Sequence, residues 1–113
     1  MIKQPEKTEL YDGLHGGTGN VWVTRNVTKE DQLEGLDMFA KVEVDIGASI
    51  GYHEHIHDAE VYYITAGKGI FLDNGKVEKS VQPGDLCFIS KGQGHGIQNT
   101  GDSILEIIAV VVP

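Results

Sequence analysis

Residues 53–60 read HEHIHDAE and hold three of the chain's five histidines. Successive side chains of a β-strand point to opposite faces, so His53 and His55 point the same way, roughly 7 Å apart, and both can reach one ion. The carboxylate of Glu60 follows shortly after them, and His95 stands alone in a glycine-rich segment, from which it can add an imidazole from a neighbouring strand. Clusters of His, Asp and Glu are typical of metal sites, and this one predicts a divalent-metal site inside a β-barrel.

The spacing of these residues resembles the two sequence motifs of the cupin superfamily. The positions that fit the first motif are Gly47, His53, His55, Glu60 and Gly67. Those that fit the second are Gly84, Gly92, His95 and Asn99. Ser90 stands where the second motif has a proline, a departure that concerns the rigidity of a turn and not the ligands. The resemblance implies a small antiparallel jelly-roll β-barrel, in which both motifs form strand pairs whose inward faces meet in the barrel mouth.

Carried over residue by residue, the resemblance makes four residues the metal ligands: His53, His55, Glu60 and His95. Three neutral imidazoles and one carboxylate suit a divalent transition metal, with Mn, Fe, Zn, Ni and Co all open. Four protein ligands leave about two octahedral positions free, which is typical of a site for a small molecule and not of a closed structural site. An anionic chelate such as oxalate or a 2-oxo acid would then bind only to the metal-loaded protein.

Two further residues are candidates for contact with a substrate. Tyr62 shares strand parity with Glu60 and would face the cavity, although an aromatic ring that packs in the core is an equal alternative. His57 would face inward if its strand continued, but pairing it with His55 leaves too few residues for a turn that brings Glu60 to the same ion. We therefore expect His57 at the turn, beside Asp58, or behind the ligands, where such groups orient them.

The rest of the chain indicates an all-β protein. Short apolar or alternating segments predict strands at 21–23, 39–46, 60–65, 69–72, 76–81, 86–89, 96–98 and 104–112. Asn74-Gly75 predicts a two-residue type I′ hairpin. A loop or a single helical turn is expected after Thr28, with the carboxylate of Asp31 reaching back as a cap. Segment 15–19, HGGTG, lacks the lysine of a phosphate-binding loop, and we expect a flexible turn there.

Length and charge narrow the remaining choices. The 113 residues predict one domain, 1–113, with a barrel core over about 38–112 and with residues 1–20 as an arm or extra strand. A net charge of −8 disfavours nucleic acid and membrane surfaces as partners. Residues 1–7 contain no secretory signal, so a cytoplasmic location is expected. The apolar run 104–112 and the open edges of a small barrel predict a homodimer, and Cys87 is expected to be buried.

Two functions stay open at this stage. The first is a small metal-dependent enzyme that acts on a compact oxygen-bearing molecule such as a sugar, a keto acid or a phenolic compound. The alternative is a non-catalytic module that binds or senses a small molecule, such as a sugar, through its metal. An enzyme needs a titratable group beside the open metal positions that is not itself a ligand, and only His57 and Tyr62 suggest themselves.

Overall fold

The computed structural model describes residues 1–113 as ten β-strands and two short 3-10 turns. The strands are β1 (Glu9–Asp12), β2 (Asn20–Thr28), β3 (Met38–Val44), β4 (Ser49–Glu54), β5 (Ala59–Ala66), β6 (Gly69–Asp73), β7 (Val77–Val81), β8 (Leu86–Ile89), β9 (Gly94–Asn99) and β10 (Leu105–Val112). The 3-10 turns are Leu14–Gly16 and Lys29–Asp31. No helical segment has the length and apolar character needed to cross a membrane.

The strands form two antiparallel sheets, which confirms the predicted all-β barrel. Six strands pair in the order β1-β2-β3-β10-β5-β8, and four pair in the order β4-β9-β6-β7. Alternation along β10 shows how the core forms, because Leu105, Ile107, Ala109 and Val111 are buried while the residues between them face outward. Each large aliphatic side chain buried in this way stabilises the fold by about 1.5–3 kcal/mol. Cys87 is buried, as predicted.

The sequence predicted the strands better than it predicted the turns. The β6–β7 hairpin exists, but three residues separate the paired Asp73 and Val77, and positive φ occurs at Gly75 (81°) and Lys76 (63°). The predicted two-residue turn on Asn74-Gly75 is therefore wrong. Asn74 instead uses its side-chain oxygen to accept a hydrogen bond from Gly94 N–H, a tertiary contact that local turn rules cannot foresee.

Side-chain hydrogen bonds hold two of the turns. The single helical turn after Thr28 is confirmed, and the Asp31 carboxylate accepts a hydrogen bond from Thr28 N–H at 2.9 Å. At the motif's proline position, Ser90 N–H donates to the Gln93 side chain at 2.9 Å, and Gln93 N–H donates back to Ser90 O at 3.1 Å. Proline has no N–H to donate, so these two hydrogen bonds restrain the turn in its place.

Asn99 joins the ends of the two sheets, and its replacement gives a stability prediction. Its buried amide nitrogen lies 2.9–3.2 Å from the carbonyl oxygens of Val44, Asp45 and Ser103. Leucine in its place leaves these carbonyls without a donor. We expect Asn99→Leu to lower the free energy of unfolding by about 2–4 kcal/mol in chemical denaturation, since unsatisfied buried polar groups are costly. The exposed neighbour is the control: Gln98→Leu should change it by about 0.5 kcal/mol or less.

Candidate metal centre

The four predicted ligands meet at one end of the barrel and come from both sheets. His53 in β4 lies directly opposite His95 in β9. His55 follows the end of β4. Its backbone N–H donates to Gln93 O at 2.9 Å, and this hydrogen bond keeps His55 beside β9. Glu60 is the second residue of β5 in the facing sheet. Strand pairing places His53, His95 and Glu60, and the backbone hydrogen bond to Gln93 places His55, so that three imidazoles and a carboxylate meet at a common point.

The ligand atoms have the separations that a metal ion requires. His55 Nε2 lies 3.2 Å from His53 Nε2 and 3.1 Å from Glu60 Oε1. His95 Nε2 lies 3.0 Å from the same carboxylate oxygen. One atom from each residue falls within 4.8 Å of all the others. Ligands about 2.0–2.2 Å from an ion are roughly 3 Å apart at neighbouring positions, so the residues present fit a divalent metal.

Hydrogen bonds on the far side of two rings fix which nitrogen faces the centre. His53 Nδ1 lies 2.8 Å from Gly51 O, and His55 Nδ1 lies 2.6 Å from Asp58 Oδ1. A carbonyl or carboxylate oxygen only accepts, so each Nδ1 carries the proton and donates it. Each Nε2 is then left to act as the ligand. Such outer partners usually orient metal-binding histidines and raise their basicity.

His95 gives the clearest sign that something belongs at the centre. Its side chain is 0% exposed, and neither ring nitrogen forms a well-aligned hydrogen bond. Tyr62 stacks on the ring, with centroids 4.6 Å apart, and Phe71 meets it edge-on. A buried polar group without a partner destabilises a protein by about 1–3 kcal/mol. A metal ion bound at Nε2 would satisfy the group that faces the centre.

The protonation states at the centre follow from burial and hydrogen bonding. Burial lowers the pKa of His53 to about 4, so this imidazole is neutral at pH 7. Burial alone would raise the pKa of Glu60, but the adjacent His55 and His95 side chains lower it to about 2. Hydrogen bonds to Glu60 and then to Asp58 raise the pKa of His55 to about 8. Without metal, the proton on His55 is therefore the positive charge that faces Glu60.

Metal binding should displace that proton. A group with a pKa of about 8 is roughly nine-tenths protonated at pH 7, and an imidazole must be deprotonated to act as a ligand. We expect nearly one proton to be released per Mn²⁺ bound at pH 7, and less than half as many at pH 8.5. Calorimetry in anaerobic buffers of different ionisation enthalpy measures this number. Heats at pH 7 that do not depend on the buffer would contradict the assignment of the proton to His55.

An open cavity of about 390 Å³ adjoins the centre, and three of the four groups, His53, His55 and Glu60, are in its lining. Its lining is mostly apolar and comprises Tyr11, Leu14, His15, Val23, Arg25, Met38, Val42, Ile50, His53, His55, Glu60, Tyr62, Ala109 and Val111. Tyr62 and Arg25 lie at the two ends of one inward-facing cross-strand row, with Ala40 and Ala109 between them. The small alanine side chains in the middle of this row leave the space that the cavity occupies.

The two predicted substrate residues have different surroundings. Tyr62 is buried and lines the cavity, as its parity with Glu60 predicted, and burial raises its pKa well above the ordinary value of 10, so its hydroxyl stays neutral. His57 is exposed in the turn between β4 and β5 and does not line the cavity. The strand ends at Glu54, so alternation does not extend to His57. The geometry gives no support to a substrate contact by His57.

Two cavity residues were missed by the sequence analysis. His15 stacks on His53, with ring centroids 3.7 Å apart and planes at 14°, so the flexible turn expected at 15–19 is instead packed against the site. Arg25 is the only arginine in the chain and faces inward opposite Ala40. A signal for Arg25 existed, because it continues the inward parity of the buried Val21 and Val23. No local pattern points to His15.

Comparison with known proteins finds a matching family model and several similar proteins. Residues 40–111 match the family model described as the cupin domain. A Thermotoga maritima protein named oxalate-binding protein is 38% identical, over 99% of this chain and 93% of its own. The crystal structure of a predicted oxalate decarboxylase from the same organism has a TM-score of 0.88 at 36% identity, over 93% of this chain and 90% of that one. A polyketide cyclase from Streptomyces resistomycificus has a TM-score of 0.76 over 100% and 80% of the two chains, but at 19% identity it shows the fold alone.

Proposed function

The chain belongs to the cupin family, and on this premise we propose that it binds one divalent metal ion and uses the ion to hold a small dicarboxylate such as oxalate. The ligands of the ion are His53, His55, Glu60 and His95. One observation carries the proposal: four candidate ligand atoms converge within 4.8 Å, and three of the four residues, His53, His55 and Glu60, line an open cavity. When bound, the metal supplies open coordination positions and positive charge for oxygen ligands.

Charge favours an anionic ligand at this position. A divalent ion exceeds the single negative charge of Glu60, so a loaded centre stays positive inside a chain whose net charge is −8. Arg25 adds the only permanent cation in the lining of the cavity. Its guanidinium lies 3.3 Å from the exposed Glu9 carboxylate and donates to Tyr11 Oη at 3.1 Å, which holds it at the rim. Carboxylate recognition by arginine is geometrically specific and strong.

The lining favours a dicarboxylate over a sugar or a phenolic compound. A sugar needs many hydrogen-bonding partners, yet the polar groups of the lining other than the ligands are only Tyr11, His15, Arg25 and Tyr62. A dicarboxylate can chelate the metal and still present charge to a guanidinium. The name of the relative that is 38% identical points to the same ligand class.

Of the two functions, an enzyme or a binding module, the cavity gives more support to binding without turnover. Glu60 is the only carboxylate in its lining, and Glu60 is engaged with His55 and His95. Burial raises the pKa of Tyr62, so its hydroxyl keeps its proton and cannot serve as the base. Besides the proposed metal ligands, the only other side chain of the lining that could accept a proton is the imidazole of His15, whose ring is stacked on His53. Substrate contact by Tyr62, through its hydroxyl as a donor, is part of the proposal.

Calorimetry tests the proposed function. Oxalate titrated into Mn²⁺-loaded protein should bind with one molecule per site, and oxalate titrated into metal-free protein should give no binding heat. Acetate, which has one carboxylate, is the control ligand and should bind far more weakly. Equal binding by both forms of the protein, or none by the loaded form, would rule the proposal out. Formate or CO₂ accumulating in the loaded sample would show an enzyme and reject the binding-only version.

We further propose a homodimer, although not for the reason that the sequence suggested. β10 lies between β3 and β5 and is not an edge strand. Its outward residues instead join an apolar row across four strands, formed by Phe39, Val110, Val61 and Phe88. The adjacent Tyr63 and Leu86 are also exposed. A second copy of the same face is the partner that such a surface fits. The cytoplasmic location also stays a prediction.

The outer face gives a prediction about mass. Phe88 is 68% exposed, so Phe88→Glu adds a charge to the proposed interface without disturbing the core. We expect light scattering to give twice the chain mass of 12.3 kDa for the natural protein and a mass near 12.3 kDa for the variant. The exposed Val77 lies on the other sheet, so Val77→Glu should leave the dimer intact. A natural protein that is monomeric at micromolar concentration would contradict the dimer.

A further inference from the structure

His15 lies face to face with His53 at the rim of the cavity. The ring centroids are 3.7 Å apart, and the planes differ by 14°. The only hydrogen bond behind the His53 ring is the one from Nδ1 to Gly51 O. That bond restrains one edge of the ring, whereas a stacked ring restrains its face. Together the two contacts meet both the edge and the face of the His53 ring.

The backbone that carries His15 is seated on β4 at distances that only glycine allows. A Cβ atom on Gly51 would clash with His15 O, and a Cβ atom on Gly17 would clash with Ser49 O. Ser49 N–H donates to Thr18 O at 2.8 Å, and Thr18 N–H donates to the Ser49 hydroxyl at 3.0 Å. Gly51 and His53 are on the same strand, so this seating fixes the position of His15 relative to His53.

The conformation of His15 argues against a role in packing alone. His15 has φ 53° and ψ 34°, a left-handed conformation that disfavours a residue with a Cβ atom by about 1–2 kcal/mol. The residue is exposed, so its ring is not needed to fill the core. Glycine would remove the strain, yet histidine occupies the position. Strain of this kind is a reason to look for a function of the side chain.

From these contacts we propose that His15 is a positioning residue for the metal centre, whose stacked ring holds His53 with Nε2 directed at the ion. This inference rests on the proposed metal site. It makes the N-terminal segment 13–19, which lies outside the matched residues 40–111, a working part of that site. It assigns the role to the face of the ring and not to its nitrogens.

Two variants separate the face of the ring from its nitrogens. His15→Asn removes the ring, and Asn tolerates the left-handed conformation well. His15→Phe keeps a flat ring and removes the nitrogens. We expect His15→Asn to weaken Mn²⁺ binding by about 10- to 100-fold, as is typical when a group that orients a ligand is lost, and His15→Phe to stay close to the natural affinity. Metal-free thermal unfolding should be nearly the same for all three proteins.

Each other outcome overturns the proposal in a recognisable way. Natural affinity in His15→Asn would show that His53 needs no support, while the metal site itself would stand. Equal weakening in both variants would show that a nitrogen of His15, and not its face, matters. A natural protein that binds no Mn²⁺ would remove the metal site and this inference together. If His15→Asn does not fold, His15→Gly replaces it, because glycine accepts positive φ without steric strain.

Discussion

We expect His95→Ala to lower the affinity for Mn²⁺ by at least about 100-fold, because loss of a ligand should exceed the 10- to 100-fold effect typical of losing a group behind a ligand. His95 is 0% exposed, and neither of its ring nitrogens forms a well-aligned hydrogen bond, although Nε2 lies 3.0 Å from Glu60 Oε1. The remaining three ligands would leave the ion short of one imidazole on the β9 side. Metal content after dialysis, together with competition against a chelator, measures the loss.

The matched control for this variant is His57→Ala. His57 belongs to the same cluster in the sequence but is exposed in the turn and does not line the cavity. Its removal should leave most of the metal bound. Equal loss in both variants would mean that the ligand set is wrong. His95→Ala also opens space beside Tyr62, so unfolding of the metal-free variant must be measured to show that it folds. His55→Ala removes a less buried ligand and repeats the test at a second position.

Arg25→Gln gives the second large effect, on the ligand and not on the metal. A hydrogen bond to a charged group contributes about 1.5–3 kcal/mol, so we expect oxalate to bind the loaded variant about 10- to 100-fold more weakly. Arg25 is not among the metal-binding atoms, so the affinity for Mn²⁺ should stay nearly unchanged. Calorimetry of the loaded variant, with metal affinity measured separately, checks both statements.

Lys68→Gln is the control for the lost charge. Lys68 is exposed beyond the end of β5, whereas Glu60 lies near its beginning, so this variant changes the net charge far from the site. Oxalate binding should then match that of the natural protein. Similar weakening in both variants would show that overall charge governs binding and that Arg25 makes no direct contact with the ligand.

The grouping of the four candidate ligands could be predicted because it depends largely on strand parity. His53 and Glu60 lie on strands whose alternation is visible in the sequence, and the resemblance of the motif spacing adds His95. The same parity predicted that Tyr62 faces the cavity, and Tyr62 both lines the cavity and packs in the buried core. Strand parity is lost soon after β4 ends at Glu54: backbone hydrogen bonds to Gln93 and Gly92 still hold His55 beside β9, whereas His57 lies in the exposed turn.

What the sequence could not give depends on contacts between distant segments. The seating of residues 13–19 on β4 arises from close backbone approach at Gly17 and Gly51, which local glycine rules interpret as flexibility. The turn at Asn74 is likewise determined by a hydrogen bond from Gly94 in another strand. Strand parity could have predicted that Arg25 faces inward, because the bulge in β2 comes only after this residue.

The most direct test is a crystal structure of the protein with Mn²⁺ and oxalate, in which anomalous scattering locates the metal. The account predicts one peak about 2.0–2.2 Å from His53 Nε2, His55 Nε2, His95 Nε2 and a Glu60 oxygen, with oxalate on the remaining positions, on the side of Arg25. A peak elsewhere would contradict it. So would an ion at this centre whose coordination is completed by protein groups alone, because no position would then be left for a ligand.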